Sequence, residues 1–161
     1  MTVAAWRIVK AKHAVDAFSG DGAARFGGRW NSPGTRLVYT AANVSLAVLE
    51  LYVHLEEADV LDEYVVIPVR FDERLVESLA TRLPAMWRRP RGLASTRRYG
   101  DEWAAEARSA VLRVPSAVIP QEANFLLNPR HPDFSAIEIG TPERFDFDAR
   151  LLNRLGRRDN P

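Results

Sequence analysis

The chain contains no cysteine. That removes disulfides, thiolate nucleophiles and cysteine-ligated zinc sites together, and it fits a reducing, cytoplasmic setting. Histidine is almost as scarce. Only His13, His54 and His131 occur, none at a metal-ligand spacing with a carboxylate pair, so no metal is expected. No apolar run reaches the ~20 residues of a membrane-spanning helix. The opening MTVAAWRIVKAKH returns to charge too soon for a signal peptide. Neither sign of charge dominates, with 22 Lys+Arg against 21 Asp+Glu and a net charge of +1. A nucleic-acid-binding domain usually shows a larger excess or a tight basic stripe. The run Arg88, Arg89, Arg91, Arg97 and Arg98 comes nearest to one, and it reads better as a solvated face or a docking patch for an acidic partner. Internal repeats, low-complexity tracts and linkers are also missing.

What is present is an ordinary globular composition, 47% hydrophobic and 27% charged over 161 residues. One domain of that size buries roughly 70% of its unfolded surface. Strands are expected at Trp6–Val9, Leu37–Ala41, Tyr64–Phe71, Val111–Val114, Ala117–Ile119, Ile137–Ile139 and Arg144–Phe147. Pro68 inside the third marks an edge or a bulge. Asn43 is placed to cap a helix over Val44–Leu55 that is apolar on nearly every face and so reads as buried. Asp101–Arg108 has helical composition, and Ala149–Leu155 reads as a short helix closed by Gly156, with a frayed tail at Arg157–Pro161. Ser19–Gly34, Thr81–Arg98 and Asn124–Phe134 read as loops. The sum is an α+β fold, one compact domain over residues 1–156 with a mixed or antiparallel sheet.

The stretch Arg25–Glu50 carries the chemistry. Glu50 is the only charged residue between Arg36 and Glu56. A lone carboxylate in apolar surroundings costs several kcal/mol unless donors or a substrate meet it. Arg29 and Tyr39 are the expected company, and the triplet suits a ligand bearing phosphate and ribose. Trp6, Trp30, Trp87 and Trp103 read as core or interface residues, and His131 as a turn residue.

Several segments, taken in order, resemble the RES domain family: WRIV at Trp6–Val9, RFGGRWNSPG at Arg25–Gly34, VYTA at Val38–Ala41, LAVLE at Leu46–Glu50, GDEW at Gly100–Trp103, VPSAV at Val114–Val118 and NFLLNPRHPDF at Asn124–Phe134. The arginine, glutamate and serine for which that family is named fall on Arg29, Glu50 and Ser116, with an aromatic at Tyr39 and an early arginine at Arg7. The resemblance implies a fold related to mono-ADP-ribosyltransferases and NAD as substrate. It also implies a toxin that depletes NAD and is neutralised, in a hetero-oligomer, by an antitoxin of the Xre helix-turn-helix class. DNA contact would then come only through the antitoxin.

Cleaving the nicotinamide–ribose bond passes through an oxocarbenium-like state. The leaving group is already cationic, so negative charge near the sugar and a grip on the diphosphate matter more than an acid. Glu50 suits the first task and the planar fork of Arg29 the second. Arg7 is expected to add a second pyrophosphate contact. Gly27 and Gly28 would admit backbone close to the ligand. Tyr39 would stack on nicotinamide, and Ser116 would bond ribose or the carboxamide, with Asn124 and Asn128 shaping the floor. Ser116 has no histidine base and is a poor nucleophile. Hydrolysis, phosphorolysis and transfer to a protein share such a site. A non-catalytic nucleotide-binding module is the alternative of a different class.

Overall fold

The computed structural model describes residues 1–79 and 82–153. The chain begins with a long strand, β1 (Thr2–Lys10), then a short helix α1 (Asp21–Phe26), strand β2 (Val38–Ala41) and helix α2 (Val44–Tyr52). Strands β3 (Tyr64–Asp72) and β4 (Val76–Ser78) precede helix α3 (Leu93–Ala105). Strands β5 (Val111–Pro115), β6 (Ala123–Leu127), β7 (Glu138–Ile139) and β8 (Glu143–Phe145) and a last turn of helix, α4 (Ala149–Leu152), complete it. The strands form one sheet in the order β4-β5-β6-β2-β1-β3-β7, with β8 also on β3. Only the β4–β5 pair is parallel, so the sheet is mixed and the fold α+β, as expected.

Pro68 sits in mid-strand without breaking β3. Its carbonyl accepts from Gly140 N at 2.8 Å, so its backbone edge turns away from β1. The missing N–H falls on the outer side of β3, between the stretches paired with β7 and with β8.

Side-chain alternation divides the sheet into two faces. Val38, Val111, Phe125 and Leu127 are packed on one face with Ala5, Val69 and Phe71. Tyr39, Ala41, Leu112, Val114, Asn124 and Leu126 belong to the other, by the register Tyr39↔Leu126, Ala41↔Asn124, Leu112↔Leu126 and Val114↔Asn124. Two covers pack on this second face. Helix α2 sets Leu46 and Ala47 against Ile8, Ala41 and Tyr64. At the other end Trp103 of α3 joins Trp30, Leu112, Val114 and Leu126. The sheet face left between them carries Tyr39 and Asn124.

Asn43 caps α2 as expected, its side chain accepting from Leu46 N at 2.8 Å. The helix is not buried all round, however. Leu49 and Val53 are 38% and 55% exposed, because α2 lies on the sheet as an outer layer and presents only one flank to it. Four other expectations are corrected. The loop Ser19–Gly34 contains α1, whose ends fall at Gly20 and Gly27, both at positive φ. Helix α3 starts at Leu93, inside the stretch read as irregular. Ala117–Ile119 is a turn, because the N–H groups of Val118 and Ile119 bond the Ser116 hydroxyl instead of a neighbouring strand. The supposed loop from Asn124 opens with β6, a central strand whose apolar run is buried on both faces. Pro68 is not a bulge, and Thr81, Gly156 and the tail Arg157–Pro161 lie outside the described residues.

Candidate functional site

The loop from Gly27 to Asn31 follows α1 and is held from three sides. Asn31, fully buried, donates through Nδ2 to the carbonyls of Ala23, Ser32 and Thr35. Its Oδ1 accepts from the Tyr39 hydroxyl at 2.7 Å, and that hydroxyl accepts from Trp30 N at 3.0 Å. Burial pushes the Tyr39 hydroxyl well above its usual pKa, so it stays a neutral donor. Gly28 packs so close that a Cβ there would stand 2.5 Å from the Tyr39 oxygen. Helix α3 supplies the third side. Thr96 donates to Arg29 O at 2.6 Å, Arg97 to Gly28 O at 2.8 Å, and Asp101 accepts from Ser32 N at 2.9 Å. RFGGRWNSPG and GDEW, distant in sequence, are therefore one structural unit.

On the opposite wall, α2 presents Glu50. Its Oε1 accepts from Ser116 Oγ and from Asn124 Nδ2, each at 2.6 Å. Among the described residues Oε2 has no protein partner. Ser116 is fully buried and accepts from Val118 N at 3.0 Å and Ile119 N at 2.9 Å. With its lone pairs taken by the turn, its proton is committed to Glu50. The hydroxyl positions a carboxylate and is not aimed at a ligand.

Both walls enclose a cleft of about 1080 Å³ whose lining includes Arg7, Arg29, Tyr39, Glu50 and Asn124. The sequence expectation that Arg29 and Tyr39 bond Glu50 does not hold. Arg29 Nη1 donates to Trp87 O at 2.8 Å, and the Tyr39 hydroxyl serves the loop. They share a cavity with Glu50, not a hydrogen bond. Arg7 Nη1 donates to Tyr39 O at 2.7 Å, and burial pulls its guanidinium down to about 10. Arg88 and Arg97, from the basic run, also line the cleft, Arg97 half-buried and Arg88 as exposed as Arg89, Arg91 and Arg98. None of Arg7, Arg29, Arg88 and Arg97 is in an ion pair among the described residues. The lining also holds Asp16, Asp21 and Glu50, with Asp21 paired to Arg36, so the four guanidinium groups outnumber the carboxylates around the cavity and suit an anionic ligand.

Asn128 is not on the floor. It bonds Ala104 O and Arg130 N, away from the cleft. His131 caps a turn through Asp133 N. The residues missed from sequence are Asn31, Thr96 and Asp101. The side-by-side Gly28, Asn31 and Pro33 were the available signal for a tightly bonded loop, but their partners on α3 lie beyond any local pattern. Among the described residues no three His, Asp or Glu side chains are grouped to hold a metal, and no helix is long and apolar enough to cross a membrane.

The Tyr39→Phe variant removes the hydroxyl that joins Trp30 N to Asn31 Oδ1. Leaving both groups unpaired costs about 1–3 kcal/mol. A lowered midpoint in thermal unfolding is the expected result, and an unchanged midpoint would show that the loop does not depend on this link.

The RES domain family model matches residues 4–148. "Toxin Res" of Photorhabdus laumondii subsp. laumondii is 38% identical over 150 residues, covering 91% of this chain and 96% of that protein. The "Prs ADP-ribosylating toxin" of Sphingobium sp. is 38% identical over 161 residues, covering 96% and 99%. Among solved structures, the M. tuberculosis MbcT–MbcA toxin–antitoxin complex contains a chain of similar fold, with a TM-score of 0.75 at 18% identity, covering 96% of this chain and 89% of that one. With the family model spanning nearly all of the chain, and relatives this similar over their whole length, the protein belongs to the RES domain family.

Proposed function

We propose that this chain is the toxin of a toxin–antitoxin pair and that it cleaves NAD at the nicotinamide–ribose bond. The observation that carries the proposal is a single cleft shared by Glu50, a carboxylate with one oxygen unpartnered among the described residues, and four arginines that form no ion pair there. Arg29, Arg88 and Arg97 suit a diphosphate; the carboxylate suits the positive charge that grows on the ribose as nicotinamide departs. Ser116 and Asn124 fix Glu50 Oε1, so Oε2 meets the sugar without having to reorganise. Arg29, on a loop locked at both ends, grips phosphate oxygens, and the Tyr39 ring forms a wall of the cavity. The related toxins and the toxin fold of the structural neighbour support the reading.

The acceptor of the ribosyl group is water, phosphate or a protein side chain, and all three reach the same carbon. The name of the Sphingobium relative favours transfer to a protein. The partner is an antitoxin, of the Xre class by the family resemblance. Phe26 (75% exposed) and Val53, both at the cleft, give it an apolar rim to cover. The site of action is the cytoplasm, where NAD is spent.

Incubating the purified chain with NAD, with and without phosphate, tests the proposal. Free nicotinamide is expected in both, with ADP-ribose formed by water or its 1″-phosphate formed by phosphate; label from NAD on a protein would mark transfer. NAD that binds and is recovered intact would replace the enzyme with a non-catalytic nucleotide-binding module.

A further inference from the structure

The main cleft adjoins a small annex of about 170 Å³ between α2 and strands β1 and β2, and the two share Arg7, Tyr39, Glu50 and Asn124. Trp6, Ile8, Ala41, Ala47 and Leu51 make most of the rest of the annex wall apolar, with Thr40 and His54 as its other polar members. Two buried polar atoms there have no partner among the described residues, Arg7 Nε and Asn124 Oδ1. They are the only side-chain atoms of that kind found among the described residues, and both are on residues that line the annex as well as the main cleft. One is a donor and the other an acceptor. The orientation of Asn124 is fixed by chemistry: its other end bonds a carboxylate oxygen, which only accepts, so the amide nitrogen points to Glu50 and the oxygen is the free atom. Arg7 is anchored by Nη1 on Tyr39 O, and of its remaining donors Nε is the one that is buried without a partner among the described residues.

A buried donor and a buried acceptor left open on two residues that line one annex cost stability unless a ligand carries the opposite pair. We infer that the annex receives a flat aromatic ring bearing a neutral carboxamide, with Arg7 Nε donating to the amide oxygen and Asn124 Oδ1 accepting from the amide nitrogen. The apolar wall suits a ring face; a sugar would bury its remaining hydroxyls against Trp6 and Leu51. A carboxylate in place of the amide meets Arg7 equally well, but sets an oxygen against Asn124 Oδ1 and adds a negative charge beside Glu50. The inference rests on the reading of the cleft as an NAD site, in which the ring is nicotinamide. It moves Arg7 from the diphosphate to the leaving group and makes Arg7 and Asn124 the residues that tell the amide from its acid.

Two measurements on the wild-type chain test this. Benzamide and benzoate are titrated by calorimetry, and kcat/KM is compared for NAD and its analogue with a 3-carboxylate on the ring. Benzamide is expected to bind about tenfold tighter or more, and NAD to be preferred by about the same factor. In Arg7→Lys the preference is expected to vanish while ADP-ribose affinity stays. Benzoate binding as well as benzamide, benzamide failing to bind, or equal use of the acid analogue overturns the assignment. So does an Arg7→Lys chain that loses ADP-ribose and keeps amide selectivity, since that places Arg7 on phosphate. Amide selectivity without any NAD cleavage leaves the annex standing and removes the cleavage reading; cleavage without selectivity does the reverse. The wild-type comparison holds whether or not the variant folds.

Discussion

NAD consumption by a Glu50→Gln variant is expected to fall by about 100- to 1000-fold, or about 3–4 kcal/mol of transition-state stabilisation. The fold is expected to survive. Glutamine keeps a carbonyl oxygen where Oε1 now accepts from Ser116 and Asn124, so neither donor is orphaned. What changes is the other position. A free carboxylate oxygen becomes an NH2 group that carries hydrogens toward the sugar where negative charge is needed. The charge acts chiefly as the sugar becomes cationic, so kcat drops and KM shifts little. The loss is measured as the rate of NAD disappearance, and folding by circular dichroism and the unfolding midpoint. In a host cell, the variant should no longer arrest growth. Wild-type turnover from the glutamine variant would mean that no step depends on the Glu50 charge.

Much of this site was legible in the sequence because its signals are local. Asn43 announced the start of α2, the run YVVIPVRF announced β3, and an isolated glutamate in an apolar segment announced a carboxylate that needs donors. The identity of those donors was not legible. Ser116 and Asn124 stand 66 and 74 residues from Glu50, and they arrive only because the β5–β6 hairpin lays both beside α2. The nearer candidates, Arg29 and Tyr39, were engaged elsewhere, Arg29 by the carbonyl of Trp87, 58 residues on, and Tyr39 by Asn31, 8 residues back in the loop it braces. Helix α1 was lost because glycine was read as a breaker throughout Ser19–Gly34, whereas Gly20 and Gly27 only mark its two ends. Strand β6 was lost because Pro129 and Pro132 made the whole of Asn124–Phe134 read as a turn-rich connection, with Asn124 and Asn128 flanking its apolar run. Here Asn124 donates to Glu50 instead of bending its own strand, and Asn128 turns the chain through Arg130 N only after the strand has ended, while also donating to the Ala104 carbonyl.

Gly100 gives the strongest contrast between sequence and structure. By propensity alone, replacing a glycine in the interior of α3 by alanine should stabilise the helix by about 1 kcal/mol. The packing reverses the sign. A Cβ on Gly100 would lie 1.8 Å from Trp30 O and 2.9 Å from Trp30 C, so the loop or the helix must retreat by more than an ångström. Neither is free to do so. Trp30 N is tied to Tyr39, Arg29 O to Thr96 and Ser32 N to Asp101, while Trp103 is fully buried one helical turn on. Gly100→Ala is therefore expected to destabilise the chain by about 3 kcal/mol, lowering the unfolding midpoint by about 6–12 °C at this size. Gly22→Ala is the control: it is the same chemical change in helix α1, with nothing within 4 Å of the added carbon, and it should leave the midpoint unchanged or slightly raised. Because the loop displaced by the Gly100 change carries Arg29, the turnover of whatever fraction stays folded should fall as well. An equal response of the two variants in thermal unfolding would mean that α3 does not press on the arginine loop, and the account of how Arg29 is held in place would fall with it.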